Sequence, residues 1–152
     1  DGIAFVENRP APAAEIIDFI RSNGAAAVMA HPIHTKFKPD ILYNVVRELQ
    51  QAGLSGIEVF HASQPRANRQ LYLDIIRDLG LITAGGSDFH GGTAHPENKL
   101  GTGRRHNLNM PYMVLEQLHA AANAPAANTA APLSSASPVP PASYYAELEK
   151  YL

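Results

Sequence analysis

Three times in succession this sequence carries an amphipathic stretch of helical spacing, then a glycine, then a short apolar run, and few architectures accommodate such a repeat. Pro10 and Pro12 suit the start of a helix that continues through Glu15, Ile16, Ile17, Phe19 and Ile20, with Asn23 and Gly24 as its stop. The run from Ala25 to Ala30 follows; it is short and holds Val28 and Met29, which favours a buried strand over a second helix. The second unit spaces Ile41, Leu42, Val45, Val46 and Leu49 helically, stops at Gly53 and continues as Gly56-Ile57-Glu58-Val59-Phe60. The third uses Leu71, Tyr72, Ile75, Ile76 and Leu79, stops at Gly80 and continues as Leu81-Ile82-Thr83-Ala84. Helix and strand alternating through short connections predict a parallel sheet covered by helices. Periodicity alone leaves open whether that sheet is doubly wound or part of a β/α barrel.

Beyond the third unit the pattern changes. Gly85 to Met110 is rich in Gly, His and Asn without a period, which predicts a long functional loop. A last amphipathic helix is predicted from Tyr112 to about Ala122, using Val114, Leu115 and Leu118. Residues 123–143 hold Ala, Pro, Ser, Asn and Thr with scarcely a large apolar side chain, so a disordered linker is expected there. The closing segment 144–152 is expected to be a short helix or tail that docks back or binds elsewhere. The first 122 residues then form the folded unit. The opening Asp1-Gly2-Ile3-Ala4-Phe5-Val6 reads as the middle of a longer sequence, so a fragment is expected.

Composition narrows the chemistry. A chain of 152 residues, 45% hydrophobic and 17% charged, falls in the range of one globular domain. A formal charge of −2 gives no broad positive field for gripping long nucleic acid, so any nucleic-acid substrate should be short. With no cysteine, disulfides, thiolate metal sites and a cysteine nucleophile are excluded, and metal chemistry must come from His, Asp and Glu. No signal-like opening and no apolar run near the ~18 residues of a membrane helix is present, so a soluble, cytoplasmic protein without membrane contact is expected.

Each predicted strand ends in potential ligands: His31 after the first, His61 after the second, Asp88 and His90 after the third. In parallel α/β architectures the carboxyl ends of strands share one edge, where ligands and metals bind. Imidazole and carboxylate donors without sulfur suit divalent Zn, Mn or Fe in hydrolytic sites. In Asp88-Phe89-His90 an extended backbone would turn both polar groups to one side. Gly85-Gly86 and Gly91-Gly92 would permit a sharp turn and close backbone approach to an ion or phosphate.

At these residues the sequence resembles a known family. Ala-Val-Met-Ala-His-Pro at 27–32, Gly-Ile-Glu-Val-Phe-His at 56–61 and Ile-Thr-Ala-Gly-Gly-Ser-Asp-Phe-His-Gly at 82–91 look like the carboxyl-terminal portion of the PHP (polymerase and histidinol phosphatase) family. The likeness is greatest to its metal-dependent phosphoesterases of nucleoside phosphates and short oligoribonucleotides, and it spans roughly residues 1–120. It implies a distorted seven-stranded β/α barrel with two or three divalent ions that hydrolyses phosphoesters. By motif, His31, Asp88 and His90 would be metal ligands, and Asp88 and His90 catalytic. The family's opening His-x-His and its middle Asp, His and Glu ligands find no match here, which implies that the amino-terminal half of the barrel is missing and that the chain alone is inactive or depends on a partner segment.

Other assignments stay open beside these. His31 could cap a strand and Asp88 could serve a turn. Glu58 lies in an apolar strand, where a structural salt bridge is the expectation. His61, His34 and Lys36 are candidates for substrate contact, with hydrogen-bonded or solvated loop positions as the alternative. Lys99, Arg104 and Arg105 are candidate phosphate clamps or plain surface charge. The leading function is metal-dependent hydrolysis of a small phosphorylated substrate or short oligonucleotide. The alternatives are a histidinol-phosphate-type phosphatase and a noncatalytic metal-binding or interaction module.

Overall fold

The computed structural model describes residues 10–124 and 139–152. The expectation of a fragment drawn from Asp1–Val6, and most of the expected linker, lie outside the described residues.

Three helices cover the sheet: α1 (Ala13–Ser22), α2 (Pro39–Gln51) and α3 (Arg66–Leu79). α2 and α3 stop by the same device. The amides of Gly53 and Leu54 donate to the carbonyls of Gln50 and Leu49, and those of Gly80 and Leu81 to Arg77 and Ile76. This closure needs a left-handed residue, and Gly53 and Gly80 have φ of 104° and 65°. The next residue, Leu54 or Leu81, is thereby delivered buried to the start of a strand.

Strands β1 (Val28–Met29), β2 (Gly56–His61) and β3 (Ile82–Gly86) form one parallel sheet in that order. Val28 pairs with Gly56, Gly56 with Ile82 and His61 with Gly86, with an irregularity between Glu58 and Phe60. Strands in chain order occur in a β/α barrel and in one half of a doubly wound sheet, so this sheet establishes the α/β class. The fully buried Ile57, Val59 and Phe60 of β2 and Leu73 and Ile76 of α3 form the centre of the core.

Gly85 and Gly86, expected to make a turn, extend β3 instead. A Cβ at Gly85 would lie 2.6 Å from the Phe60 Cβ, so the glycine admits close strand pairing rather than an ion. The expected 85–110 loop also holds an antiparallel pair, β4 (Asn98–Lys99) and β5 (Gly103–Arg104). α3 starts ahead of its apolar period because its first turn, Arg66-Ala67-Asn68-Arg69, is polar. α4 (Met113–Asn123) packs against β3 and buries Val114.

After the undescribed stretch, α5 (Ala142–Leu148) lies against α3. Tyr144, Tyr145 and Leu148 are buried; the Thr83 amide donates to the Tyr144 hydroxyl at 3.0 Å, and the Tyr145 hydroxyl donates to the Leu81 carbonyl at 3.0 Å. Arg77 pairs with Glu149 at the rim. A helix of 7 residues does not hold in isolation, and burial of each large side chain supplies roughly 1.5–3 kcal/mol towards ordering it. Burial pushes both phenols up to about 12.

Candidate functional site

The carboxyl edge of the sheet gathers residues far apart in sequence. The chain leaves β1 at His31, and Pro32 starts a 3₁₀ turn, Pro32–Thr35. Because residues three apart nearly eclipse in such a turn, His34 stands beside His31, with ring centroids 5.0 Å apart. His61, at the end of β2, completes a triangle at 5.8 Å from His31 and 6.2 Å from His34. Glu58 accepts the His31 backbone amide at 2.7 Å, so among the described residues its partner is an amide rather than the cation of the expected salt bridge. That bond fixes the bend at which His31 leaves the strand, where φ is 28°.

His61 is 2% exposed, and its two nitrogens differ. Nδ1 accepts the Ser63 amide at 3.2 Å, so the proton of the neutral ring resides on Nε2. Nε2 is buried without a hydrogen-bond partner and faces Asp88 Oδ2 at 3.7 Å. A metal ion at Nε2 would displace that proton and, unless an imidazolate formed, shift it to Nδ1 at the cost of the Ser63 bond. The geometry therefore suits His61 to holding a proton beside Asp88.

His90 has the opposite arrangement. Its Nδ1 lies 3.0 Å from the Asp88 carbonyl, which can only accept, so Nδ1 carries the proton and Nε2 keeps its lone pair. The ring is exposed, 5.9 Å from His95 and 3.5 Å from Asp88 Oδ1 at Nδ1. Backbone-held Nδ1–H with free Nε2 is the usual state of a metal-ligating imidazole. Asp88 is not in the extended backbone expected of the motif: its φ is 53°, a left-handed conformation that Asp tolerates better than most residues. Asn98 donates to the Asp88 carbonyl at 3.1 Å and anchors that turn.

A metal would need several of these donors at once. Among the described residues no group of three or more His, Asp or Glu side chains is disposed to hold one ion. Among the described residues, the donors of this edge do not by themselves make a complete metal site. The remaining candidates, Lys36, Lys99, Arg104 and Arg105, are exposed, and Lys36 caps the same turn that carries His34. Yet His31, Lys36, Asp88, Arg105 and His106 are the described non-glycine residues with positive φ, and four of these five carry sequence-assigned roles. Such strain concentrates at functional sites.

Sequence reasoning missed Asn98, Asn107, Gln64 and Arg69. Asn107 donates to the Ala62 carbonyl at 2.7 Å and accepts the Arg104 amide at 2.8 Å, fastening the hairpin loop to the end of β2. Arg69 donates to the Asn107 carbonyl at 3.2 Å and lies over the Phe60 ring at 5.9 Å. Burial, then the charge of Arg66, pulls the Arg69 guanidinium below its ordinary pKa. Arg69 Nε and both amide atoms of Gln64 are buried without partners, a cost of roughly 1–3 kcal/mol for each such group. Of these, only Arg69 carried a signal, as part of the basic turn Arg66–Arg69 ahead of the apolar period.

No protein-family model matches the sequence. A phosphoribosyl 1,2-cyclic phosphate 1,2-diphosphodiesterase from Eggerthella lenta is 30% identical over 79 residues, 52% of this chain and 28% of that protein. Among solved structures, an amidohydrolase from Chromobacterium violaceum with bound sulfate and no metal aligns with a TM-score of 0.56 at 23% identity, over 72% of this chain and 37% of that one. A Bifidobacterium adolescentis protein assigned by name as a metal-dependent phosphoesterase aligns with a TM-score of 0.56 at 23% identity, over 77% and 39%. The chain therefore spans less than two-fifths of each of these proteins. The structural matches show the fold, and together with the curated match they support the resemblance of part of this chain to PHP-type phosphoesterases.

Proposed function

We propose that this chain is the carboxyl-terminal part of a seven-stranded, metal-dependent phosphoesterase barrel acting on a small phosphorylated substrate, a nucleoside phosphate or short oligonucleotide. The observation that carries the reading is the meeting of His31, His34, His61 and Asp88 at the ends of three adjacent parallel strands. In this reading His31, Asp88 and His90 contribute to holding two or three ions of Mn, Zn or Fe, with the ligands they lack supplied by further sequence or a partner. A divalent ion there supplies Lewis acidity towards phosphoryl oxygens. His61 holds a proton at Nε2 beside Asp88, while His34, Lys36, Arg104 and Arg105 are the substrate-side candidates. The chain by itself is expected to be inactive, and a cytoplasmic location belongs to the same proposal.

The test is metal content and turnover of a longer protein carrying this sequence, with nucleoside phosphates, short RNA and histidinol phosphate as substrates, against Asp88→Ala and His90→Ala. Loss of metal and of nucleotide hydrolysis in both variants supports the reading. Preferential turnover of histidinol phosphate shifts it to that phosphatase class. Unchanged metal and turnover in both variants would sink it. The partial donor set favours one rival, a noncatalytic metal-binding module, which would bind metal without turning over any of the three substrates.

A further inference from the structure

β3 offers backbone hydrogen bonds on two sides, and the two sides are used differently. The Ile82 amide donates to the Ser55 carbonyl at 3.0 Å, so Ile82 turns its peptide groups towards β2. Because these groups alternate along a strand, Leu81 and Thr83 turn theirs to the outer edge, where the sheet ends among the described residues. The Tyr145 hydroxyl donates to the Leu81 carbonyl there, and the Thr83 amide donates to the Tyr144 hydroxyl, each at 3.0 Å. In a parallel ladder one residue of a neighbouring strand makes the same pair of bonds, giving to the carbonyl before the residue it faces and taking from the amide after it. The two phenols therefore stand opposite Ile82, in the place of one residue of a next strand.

An open strand edge invites pairing with another chain, and folded proteins blunt or cover it. The other edge of this sheet is blunted by length, since β1 is two residues long. β3 has five, and Leu81-Ile82-Thr83-Ala84-Gly85-Gly86 carries neither charge nor proline to hold a like edge away. Tyr144, Tyr145 and Leu148 are buried, so lifting α5 uncovers the Leu81 and Thr83 peptide groups together with apolar surface.

We infer that α5 is a cover over the outer edge of β3, and that the partner it holds off is the same edge of a second copy of this chain. Two like edges meet about a two-fold axis as antiparallel strands, so the assembly closes as a dimer. No metal or substrate enters, so this cover stands or fails independently of the phosphoesterase reading.

The experiment is sedimentation velocity of the full chain over a range of concentrations, with amide hydrogen exchange read by NMR. Tyr144→Phe with Tyr145→Phe removes both hydroxyls and keeps the rings. Arg77→Cys with Glu149→Cys replaces a pair whose side chains already meet, and the chain has no other cysteine, so a short bis-maleimide can join α3 to the terminal segment. The double phenylalanine variant should dimerise about tenfold or more tightly than the parent, with the Thr83 amide exchanging slowly in the dimer and the α5 amides fast. The cross-linked form should dimerise about tenfold or more weakly than the same variant left unlinked. Equal dimerisation of the parent and the double phenylalanine variant overturns the inference, as does a dimer whose Thr83 amide exchanges as freely as in the monomeric variant. Equal dimerisation of the linked and unlinked forms overturns it as well, and that comparison decides if the phenylalanine variant fails to fold.

Discussion

His61 and His90 stand at the ends of neighbouring strands and both face Asp88, yet the backbone engages opposite roles at their rings. At His61 a main-chain amide donates to Nδ1, so the proton is left on the buried Nε2. At His90 a main-chain carbonyl accepts from Nδ1, so the exposed Nε2 is left with a lone pair. On the proposed reading, the same side chain serves as a proton holder in one place and as a ligand in the other. What decides is the nearest peptide group, and no count of histidines could have revealed it.

The largest effect expected from breaking this contrast comes at Asp88, the neighbour common to both rings. Asp88→Ala in a longer, active protein should lower metal occupancy and turnover together, by about 100-fold or more, as checked by metal analysis and steady-state kinetics. The two histidines should then separate the readouts. His90→Ala is expected to weaken metal binding about 10–100-fold. His61→Gln should leave metal content near the parent value while turnover falls by roughly 100-fold. Loss of metal in both variants, to a similar degree, would erase the distinction.

The contrast rests on a scaffold that the sequence expressed well. Apolar spacing with glycine stops located α1, α2, α3 and their strands because local periodicity and helix closure are local properties of the chain. Strand-end placement likewise brought His31, His61 and Asp88 to one edge. The expected extended turn at Asp88-Phe89-His90 failed, because Asn98, ten residues on, captures the Asp88 carbonyl and holds φ at 53°. Glu58 departs from its expected salt bridge among the described residues for a related reason: the partner seen there is an amide 27 residues away, and main-chain donors leave no mark in a sequence. Gly85 was read as a turn when it is a contact surface for Phe60.

Two smaller effects probe that scaffold. Gly85→Ala should destabilise the chain by roughly 1–3 kcal/mol in urea denaturation, since the added methyl overlaps β2. Tyr144→Phe should cost about 1 kcal/mol by removing the acceptor of the Thr83 amide. The same phenols set an alkaline limit. Their folded values of about 12 lie above the ordinary 10.0, so the folded chain holds these protons more tightly. Their contribution is complete below pH 10 and is lost as pH rises from 10 towards 12, which a denaturation series across that range detects as falling midpoints. Tyr144→Phe should flatten that decline.

The division of roles at the edge is tested most directly by nitrogen-resolved NMR of the imidazole rings at neutral pH, with and without zinc. The expected spectrum shows His61 protonated at Nε2 and His90 at Nδ1, with zinc moving the His90 Nε2 resonance and leaving His61 in place. A His61 ring protonated at Nδ1, or one whose Nε2 responds to zinc as strongly as that of His90, would contradict it.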